Sequence, residues 1–271
     1  MQSFFKKLPR YSLRLLLAYL VYIFTGGVLA YLLPRQARNL PQTDSFYGIG
    51  RGPDRAVLVE EPQDAFARRV EVIRTAQSTL DVCYHCVKSG ETTECFFAEL
   101  LRAADRGVRV RVLLDGTVGG LSGARSNIAL ALRAHPNIEY RIYNPVDLLR
   151  PWEWNALLHD KFILADDRML LLGGRNIGDE YFAPPGYEGA VTYDRDVLVL
   201  NDLAGTPDSS ESVTAQAKIY MDTLWDAPET DKFGTLSPSR RADGLAAQEY
   251  LKETAARWEA AAPSFYLPSE P

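Results

Sequence analysis

The sequence predicts an α/β domain with a layered, mostly parallel central sheet, preceded by one transmembrane helix. Two observations support this fold class: strand-like and helix-like segments alternate from residue 56 to residue 144, and a long uncharged run lies near the N-terminus. Of the 271 residues, 46% are hydrophobic and 24% are charged, which excludes a disordered chain. The net charge of −5 excludes a generally basic nucleic-acid-binding surface, and we expect no nucleic-acid partner.

The first predicted element is the transmembrane helix, residues 15–33. These 19 uncharged residues are long enough to cross roughly 30 Å of hydrocarbon. A short basic segment, residues 1–14, precedes them, so the positive-inside rule favours a cytoplasmic N-terminus and an extracytoplasmic body. A cleaved signal peptide is the alternative, although the apolar core of such a peptide is usually only about 7–15 residues long. Pro34 ends the helix, and residues 34–55 have the composition of a linker.

The body of the protein is predicted to be one domain, residues 56–235. Its apolar residues alternate between the period of a strand and the period of an amphipathic helix. Strands are expected at 56–61, 79–87, 108–115 and 138–144, and helices at 65–76, 94–106 and 124–134. Residues 236–271 form a tail, in which we expect one surface helix and a proline-rich end.

The residues with the clearest chemical character lie between 157 and 182. His159 and Lys161 are two residues apart in an apolar segment, so both side chains would leave a strand on the same face. Asp166 and its neighbours Asp167 and Arg168 suit a tight turn, after which a second strand begins. The predicted hairpin would return the chain to the histidine and the lysine.

The second strand of this hairpin ends at a glycine pair, Gly173 and Gly174, followed by Asn176. Glycine lets the backbone approach a ligand closely, so the glycine amides, Asn176 and Lys161 would form a pocket for phosphate oxygens. A single histidine on a strand is usually structural. The full spacing, H-x-K, four residues, Asp, six residues, G-G-x-N, would occur by chance at a given histidine on the order of once in 10⁵, which favours a functional site.

This pattern resembles the HKD motif of the phospholipase D superfamily. The stretch GGRNIGDEYF, which begins at Gly173, is most similar to the cardiolipin synthase branch of bacterial phosphatidyltransferases. The resemblance extends back through LDVCYHCV and LLRAADRGVRVRVLLDG and forward through DRDVLVL, and it covers roughly residues 56–230. It implies a phospholipase D-like fold, a phospholipid substrate, no cofactor or metal, and a single-pass protein of the bacterial inner membrane.

The resemblance also implies a role for each residue. His159 would attack the lipid phosphate and form a phosphohistidine, while Lys161 and Asn176 would hold the non-bridging oxygens. A carboxylate on a following strand would orient the imidazole; Asp194 is the first candidate and Asp196 the second. Asp166 would be more structural than chemical. The candidate catalytic residues are therefore His159, Lys161, Asp166, Asn176 and Asp194, and the candidate substrate-binding residues are Gly173 and Gly174.

The chain departs from this family's pattern in one respect. Proteins of this branch usually carry two HKD motifs, and the other histidines here, His85 and His135, do not lie in a second H-x-K. We expect the missing half to come from a C-terminal region beyond this sequence, or else from a homodimer partner; an inactive remnant is the third alternative.

Other functions remain open at this point. A dimeric nuclease with one motif per chain is the catalytic alternative, and a membrane-tethered binding module is the non-catalytic one. Cys83 and Cys86 have the spacing of a zinc site, but they would face opposite sides of a strand and no second pair follows, so we expect no metal there.

Overall fold

A computed structural model describes residues 2–29, 32 and 52–268 of the protein. The chain divides into two compact units, of which the first contains residues 1–49 with 146–157 and the second contains residues 50–145 with 158–271. The predicted linker lies outside the described residues except for residues 52–55. Of the predicted transmembrane segment 15–33, residues 30, 31 and 33 also lie outside them.

The first unit contains a long N-terminal helix, α1 (Gln2–Phe24), which continues as a π-helical turn (Thr25–Leu29). Its segment Tyr11–Leu29 is exposed and is long and apolar enough to cross a membrane. The hydroxyl of Tyr19 donates to the carbonyl of Leu148 at 3.1 Å. Residues 146–157 therefore pack beside the second half of this helix.

The second unit begins with alternating strands and helices, as the apolar pattern predicts. These elements are β1 (Asp54–Val59), α2 (Pro62–Thr75), β2 (Thr79–Tyr84), α3 (Glu91–Asp105), β3 (Arg109–Asp115), α4 (Ser126–Ala134) and β4 (Ile138–Tyr143). Pro62 is the first residue of α2. Proline suits this position because the N–H that it lacks would have no hydrogen-bond partner within the first turn of the helix. Gly107 follows the end of α3 and has a φ of +95°.

The rest of the unit has more strands and fewer helices. It contains β5 (Lys161–Ala165), β6 (Met169–Gly173), the one-turn helix α5 (Asp179–Phe182), β7 (Asp196–Asn201), α6 (Val213–Trp225), β8 (Thr230–Lys232) and α7 (Pro238–Ala261). Short 3-10 turns cover Gly123–Arg125, Pro207–Glu211 and Pro263–Tyr266 in this unit, and Pro151–Glu153 in the first unit.

All eight strands form one sheet in the order β1-β7-β6-β5-β2-β3-β4-β8. Among the described strands, β3 is parallel to its two neighbours, β2 and β4. The other five pairs of neighbouring strands are antiparallel. The α/β class is confirmed, but the expected mostly parallel sheet is corrected to a mixed one. The reason is the chain's second half, where hairpins replace helical crossovers.

The sheet has helices on both faces. On one face, α2, α3, α4 and α7 cover the larger core, which includes Leu80, Val112 and Ile163. On the other face α6 covers a smaller core, to which Met221 and Trp225 contribute.

The C-terminal tail contains the expected helix, and one face of that helix packs into the larger core. Leu251 and Ala255 of α7 are buried, and Phe265 stacks on Phe66 with 4.6 Å between ring centroids. Gly244 lies so close to Leu130 that a Cβ there would meet its carbonyl oxygen at 2.5 Å. The helix thus packs tightly through small residues against α4.

Candidate active site

The candidate residues meet at one edge of the sheet because of its strand directions. Strands β2 and β3 are parallel and end at this edge, whereas the antiparallel β5 begins there. Strand β6 then ends at the edge and β7 begins at it. Residues that follow β2, β3 and β6 therefore lie near residues that precede β5 and β7.

His159 and Lys161 are the first pair at this edge. Lys161 begins β5 and is buried, whereas His159 lies just before the strand and is exposed, so the two are not both on a strand as the spacing suggests. The ammonium of Lys161 donates to the carbonyl of His159 at 2.7 Å. Burial lowers the pKa of Lys161 below its ordinary value, against the opposing effect of Asp160 and Asp194.

A second histidine, His85, lies against His159. Their ring centroids are 4.5 Å apart, and His85 Nδ1 is 2.9 Å from the carbonyl of Leu158. A carbonyl can only accept, so Nδ1 carries the proton and Nε2 is the bare nitrogen. Burial lowers the pKa of His85 below its ordinary value, which favours a neutral ring at pH 7.

Asp115 supports the same segment from the end of β3. One carboxylate oxygen accepts the amide of Leu158 at 2.9 Å and lies 3.9 Å from His85 Nδ1. The other oxygen accepts the amides of Thr117 and Val118 at 2.9 Å and 3.1 Å. Asp115 and His85 together therefore fix both backbone groups of the residue that precedes His159.

Asn176 reaches the edge from the loop after β6. Its Oδ1 accepts the amide of Cys86 at 3.0 Å, and its Nδ2 donates to the hydroxyl of Tyr181 at 3.1 Å. Because Cys86 directly follows His85, this bond holds the side-chain amide of Asn176 near the two histidines, His85 and His159. Nδ2 carries a second hydrogen that these contacts do not use.

The glycine pair has a different role from the one that the sequence suggests. A Cβ on Gly174 would meet the carboxylate of Asp194 at 2.0 Å, and one on Gly173 would meet that of Asp196 at 2.1 Å. The amide of Gly174 donates to the carbonyl of Arg195 at 3.0 Å. The expectation that the Gly174 amide binds phosphate is therefore corrected: both glycines make room for carboxylates of the protein.

The two candidate orienting carboxylates differ sharply. Asp196 is fully buried between Arg69 and Arg175, with Oδ2 at 2.9 Å and 3.0 Å from their guanidinium nitrogens. It is thus part of a structural ion-pair cluster. Asp194 is exposed beside Gly174, and its negative charge acts on Lys161. Of the two aspartates, Asp194 is therefore the one that faces the site.

Asp166 lies at the opposite edge of the sheet, in the turn between β5 and β6. Its carboxylate accepts the amides of Gln77, Ser78 and Thr79 at 2.8–2.9 Å, and its φ is +53°. The structure does not bring it to the other site residues. Its contacts agree with the structural role and not with its place among the candidate catalytic residues.

The sequence analysis missed His85 and Asp115 as members of the site. A signal was present, since both follow apolar strands whose parallel pairing places their carboxyl ends at one edge. Among the described residues, no group of three His, Cys, Asp or Glu side chains is arranged to hold a metal ion.

Comparisons with known proteins bear on the family and the fold of the chain. Residues 70–199 match the family described as cardiolipin synthase, phospholipase D-like domain. Cardiolipin synthase C of Escherichia coli is 39% identical over 52% of this chain and 31% of its own length. Cardiolipin synthase of Geobacillus thermodenitrificans is 29% identical over 58% of this chain and 32% of its own length. The chain thus spans less than a third of the curated relatives that it matches.

Among solved structures, NucT from Helicobacter pylori has a TM-score of 0.51 at 15% identity and covers 66% of this chain and 99% of that one. At this identity the likeness shows the fold alone. Sequence family and fold therefore agree with the resemblance carried by the spacing around His159. Residues 70–199 belong to the phospholipase D superfamily, in its cardiolipin synthase branch.

Proposed function

We propose that the protein is a membrane-anchored phosphatidyltransferase that exchanges phospholipid phosphodiesters through a phosphohistidine on His159 and needs a second HKD half. The observation that carries the proposal is the arrangement at the sheet edge, where His159 exposes its imidazole and its backbone carbonyl accepts a hydrogen bond from the buried ammonium of Lys161. A nucleophile next to a fixed cation is what attack on an anionic phosphodiester requires.

The proposed reaction has two steps. In the first, a ring nitrogen of His159 attacks phosphorus, the bond to the leaving alcohol breaks, and an acid on the far side protonates that alcohol. In the second, an acceptor hydroxyl gives its proton to the same group and attacks phosphorus, which releases His159. Lys161 and the unused hydrogen of Asn176 Nδ2 stabilise the charge on the non-bridging oxygens in both steps.

His85 does not suit the role of the acid. In-line displacement places the attacking atom and the leaving group on opposite sides of phosphorus. The rings of His85 and His159 lie with centroids 4.5 Å apart, which leaves no room for a phosphate group between them. The acid in this proposal is therefore the histidine of a second half, supplied by a longer chain or by a homodimer partner.

The membrane part of the proposal rests on the first unit. Helix α1 supplies an exposed apolar segment of 19 residues, and residues 146–157 beside it expose Leu148, Leu149 and Trp152. Apolar side chains next to such a helix suit contact with lipid. We propose a single pass through the bacterial inner membrane, with phospholipid as the substrate.

The function is tested by incubating the full chain, reconstituted in vesicles, with phosphatidylglycerol and separating the lipids by thin-layer chromatography. We expect cardiolipin, or phosphatidic acid where water replaces the acceptor. Single-stranded DNA is the substrate of the competing nuclease hypothesis, and we expect it to stay intact. Cleavage of DNA without any lipid product would contradict the proposal.

His85 is expected to be a positioning residue for His159. Replacing it with leucine removes the bond to Leu158 and should lower kcat about tenfold to a hundredfold with little change in KM. Asparagine can still donate to that carbonyl, so His85→Asn should recover most of kcat. Initial rates over a range of lipid concentrations measure both constants, and equal loss in the two variants would argue against positioning.

A further inference from the structure

A cavity of the second unit lies beside the candidate active site and not within it. Its volume is about 930 Å³, and it opens at the carboxyl ends of β3 and β4, between α4 and the start of α7. A cavity of this size suits a lipid headgroup with part of its glycerol backbone. None of the steps described above uses it.

Three arginines line this cavity: Arg125, Arg133 and Arg240. In the part of the chain that the structure describes, none of their guanidinium groups forms an ion pair with a carboxylate within 4.0 Å. Asp243 is the carboxylate that shares the lining with them. Although the whole chain has a net charge of −5, this cavity therefore carries an excess of positive charge.

Two contacts fix the position of the Arg133 guanidinium at the cavity. Its guanidinium lies 4.7 Å from the ring centroid of Phe233 and donates to the carbonyl of Gly234 at 2.8 Å. Burial, and then the charge of Arg240, lower the pKa of Arg133 below its ordinary value, which indicates that the positive charges of Arg133 and Arg240 repel each other. Bringing an anion between them would relieve this repulsion.

The lining also has an apolar side, formed by Leu121, Ile142 and Phe233. Phe233 is fixed by Tyr140, with 4.9 Å between the ring centroids. A free inorganic anion would leave these apolar groups unused. A ligand that combines a phosphate with hydrocarbon would contact both sides.

The cavity borders the candidate active site through two of its lining residues. Cys86 lines it and also donates its backbone amide to Asn176. Thr117 lines it and bonds through its amide to Asp115, which holds the residue before His159. A group bound in the cavity would therefore lie next to the residues that hold Asn176 and the segment before His159.

We propose that this cavity binds the phosphodiester of a second anionic phospholipid, whose headgroup hydroxyl is the acceptor in the second step. The inference rests on the proposed transfer reaction and names the subsite that selects its acceptor. Arg125 and Arg133 bind the acceptor phosphate, Leu121 and Phe233 contact its glycerol and proximal acyl carbons, and the free hydroxyl points towards His159.

The test measures binding at the cavity itself and does not need turnover. The full chain carrying His159→Ala, in phosphatidylcholine nanodiscs, is titrated with short-chain dihexanoyl phosphatidylglycerol. Alkylation of Cys86 by N-ethylmaleimide is followed by mass spectrometry, because Cys86 lines the cavity whereas Cys83 and Cys95 are buried. Arg125→Gln combined with Arg133→Gln is compared with Arg241→Gln, an exposed control on α7.

Phosphatidylglycerol should slow the alkylation of Cys86, and the double variant should need at least about tenfold more lipid for the same protection. The Arg241→Gln control should behave like the parent. Equal protection in all three proteins would overturn the proposal, and so would protection by inorganic phosphate at the same concentration as by lipid. Protection without any phosphatidyl transfer by the wild-type chain would sustain the subsite while rejecting the proposed function.

Discussion

Replacing His159 with alanine is expected to reduce phosphatidyl transfer at least about 10⁴-fold, the largest loss of activity of any single change in this chain. We expect no substitute nucleophile, because His85 is partly buried and its bond to the Leu158 carbonyl fixes its ring in a supporting position beside His159. Loss of a covalent nucleophile usually costs several orders of magnitude in kcat.

A matched control for this change is His135→Ala. His135 lies after α4 with Nε2 at 3.1 Å from Asp105 and makes no contact with the candidate active site. It should retain activity within about threefold once the amount of folded protein is equalised. Initial rates from thin-layer chromatography compare the two variants, and similar rates in both would reject His159 as the nucleophile.

The largest expected loss of stability comes from Asp196→Ala. This carboxylate is fully buried and is the acceptor for both Arg69 and Arg175, whose side chains are buried as well. Removing it leaves two buried guanidinium groups without their counterion. Breaking a buried ion pair in this way costs about 3–5 kcal/mol of the free energy of unfolding.

The same change should also disturb the site. Arg175 stands between the glycine pair and Asn176, and its side chain donates to the carbonyl of Val59 at 3.1 Å. Asp202→Ala is the control, since its ion pair with Arg55 is exposed and is expected to contribute about 0–1 kcal/mol. Urea unfolding of the detergent-solubilised chain, followed by tryptophan fluorescence, gives both values. A loss below about 1 kcal/mol for Asp196→Ala would show that the cluster does not hold this region together.

The first half of the fold could be predicted because each strand is followed by an amphipathic helix, and such helical crossovers give the parallel neighbours β2, β3 and β4. The order and direction of the strands in the second half were harder to predict from the sequence. The only helix between β6 and β7 is the one-turn helix α5, and a three-residue turn joins β5 to β6, so β5, β6 and β7 are antiparallel neighbours. Apolar runs alone do not distinguish the two directions.

The site shows the same division between local and long-range information. The spacing of His159, Lys161 and Asn176 is local, and the structure brings these three residues together at the sheet edge. The contacts of His85 depend on the order of strands that are distant in sequence. Gly173 and Gly174 make room for the carboxylates of Asp194 and Asp196, which lie about 20 residues further along the chain. The glycine motif alone does not indicate these partners.

The packing of the C-terminal helix into the core was not predicted, for a related reason. Helix α7 buries mostly small residues, such as Ala247 and Ala255, and these give only a weak apolar periodicity. Their size is nevertheless what allows close packing against α4, where Gly244 lies against Leu130. A low apolar contrast in sequence therefore concealed a part of the core.

The most direct test of the central claim is to trap the covalent intermediate. The reconstituted chain is mixed with phosphatidylglycerol labelled with ³²P in the phosphate, quenched in alkali, where phosphohistidine survives, and digested for peptide analysis. We expect the label on the peptide that contains His159, and none in the His159→Ala variant. Lipid product formed without any label on that peptide, or label on His85, would contradict the account.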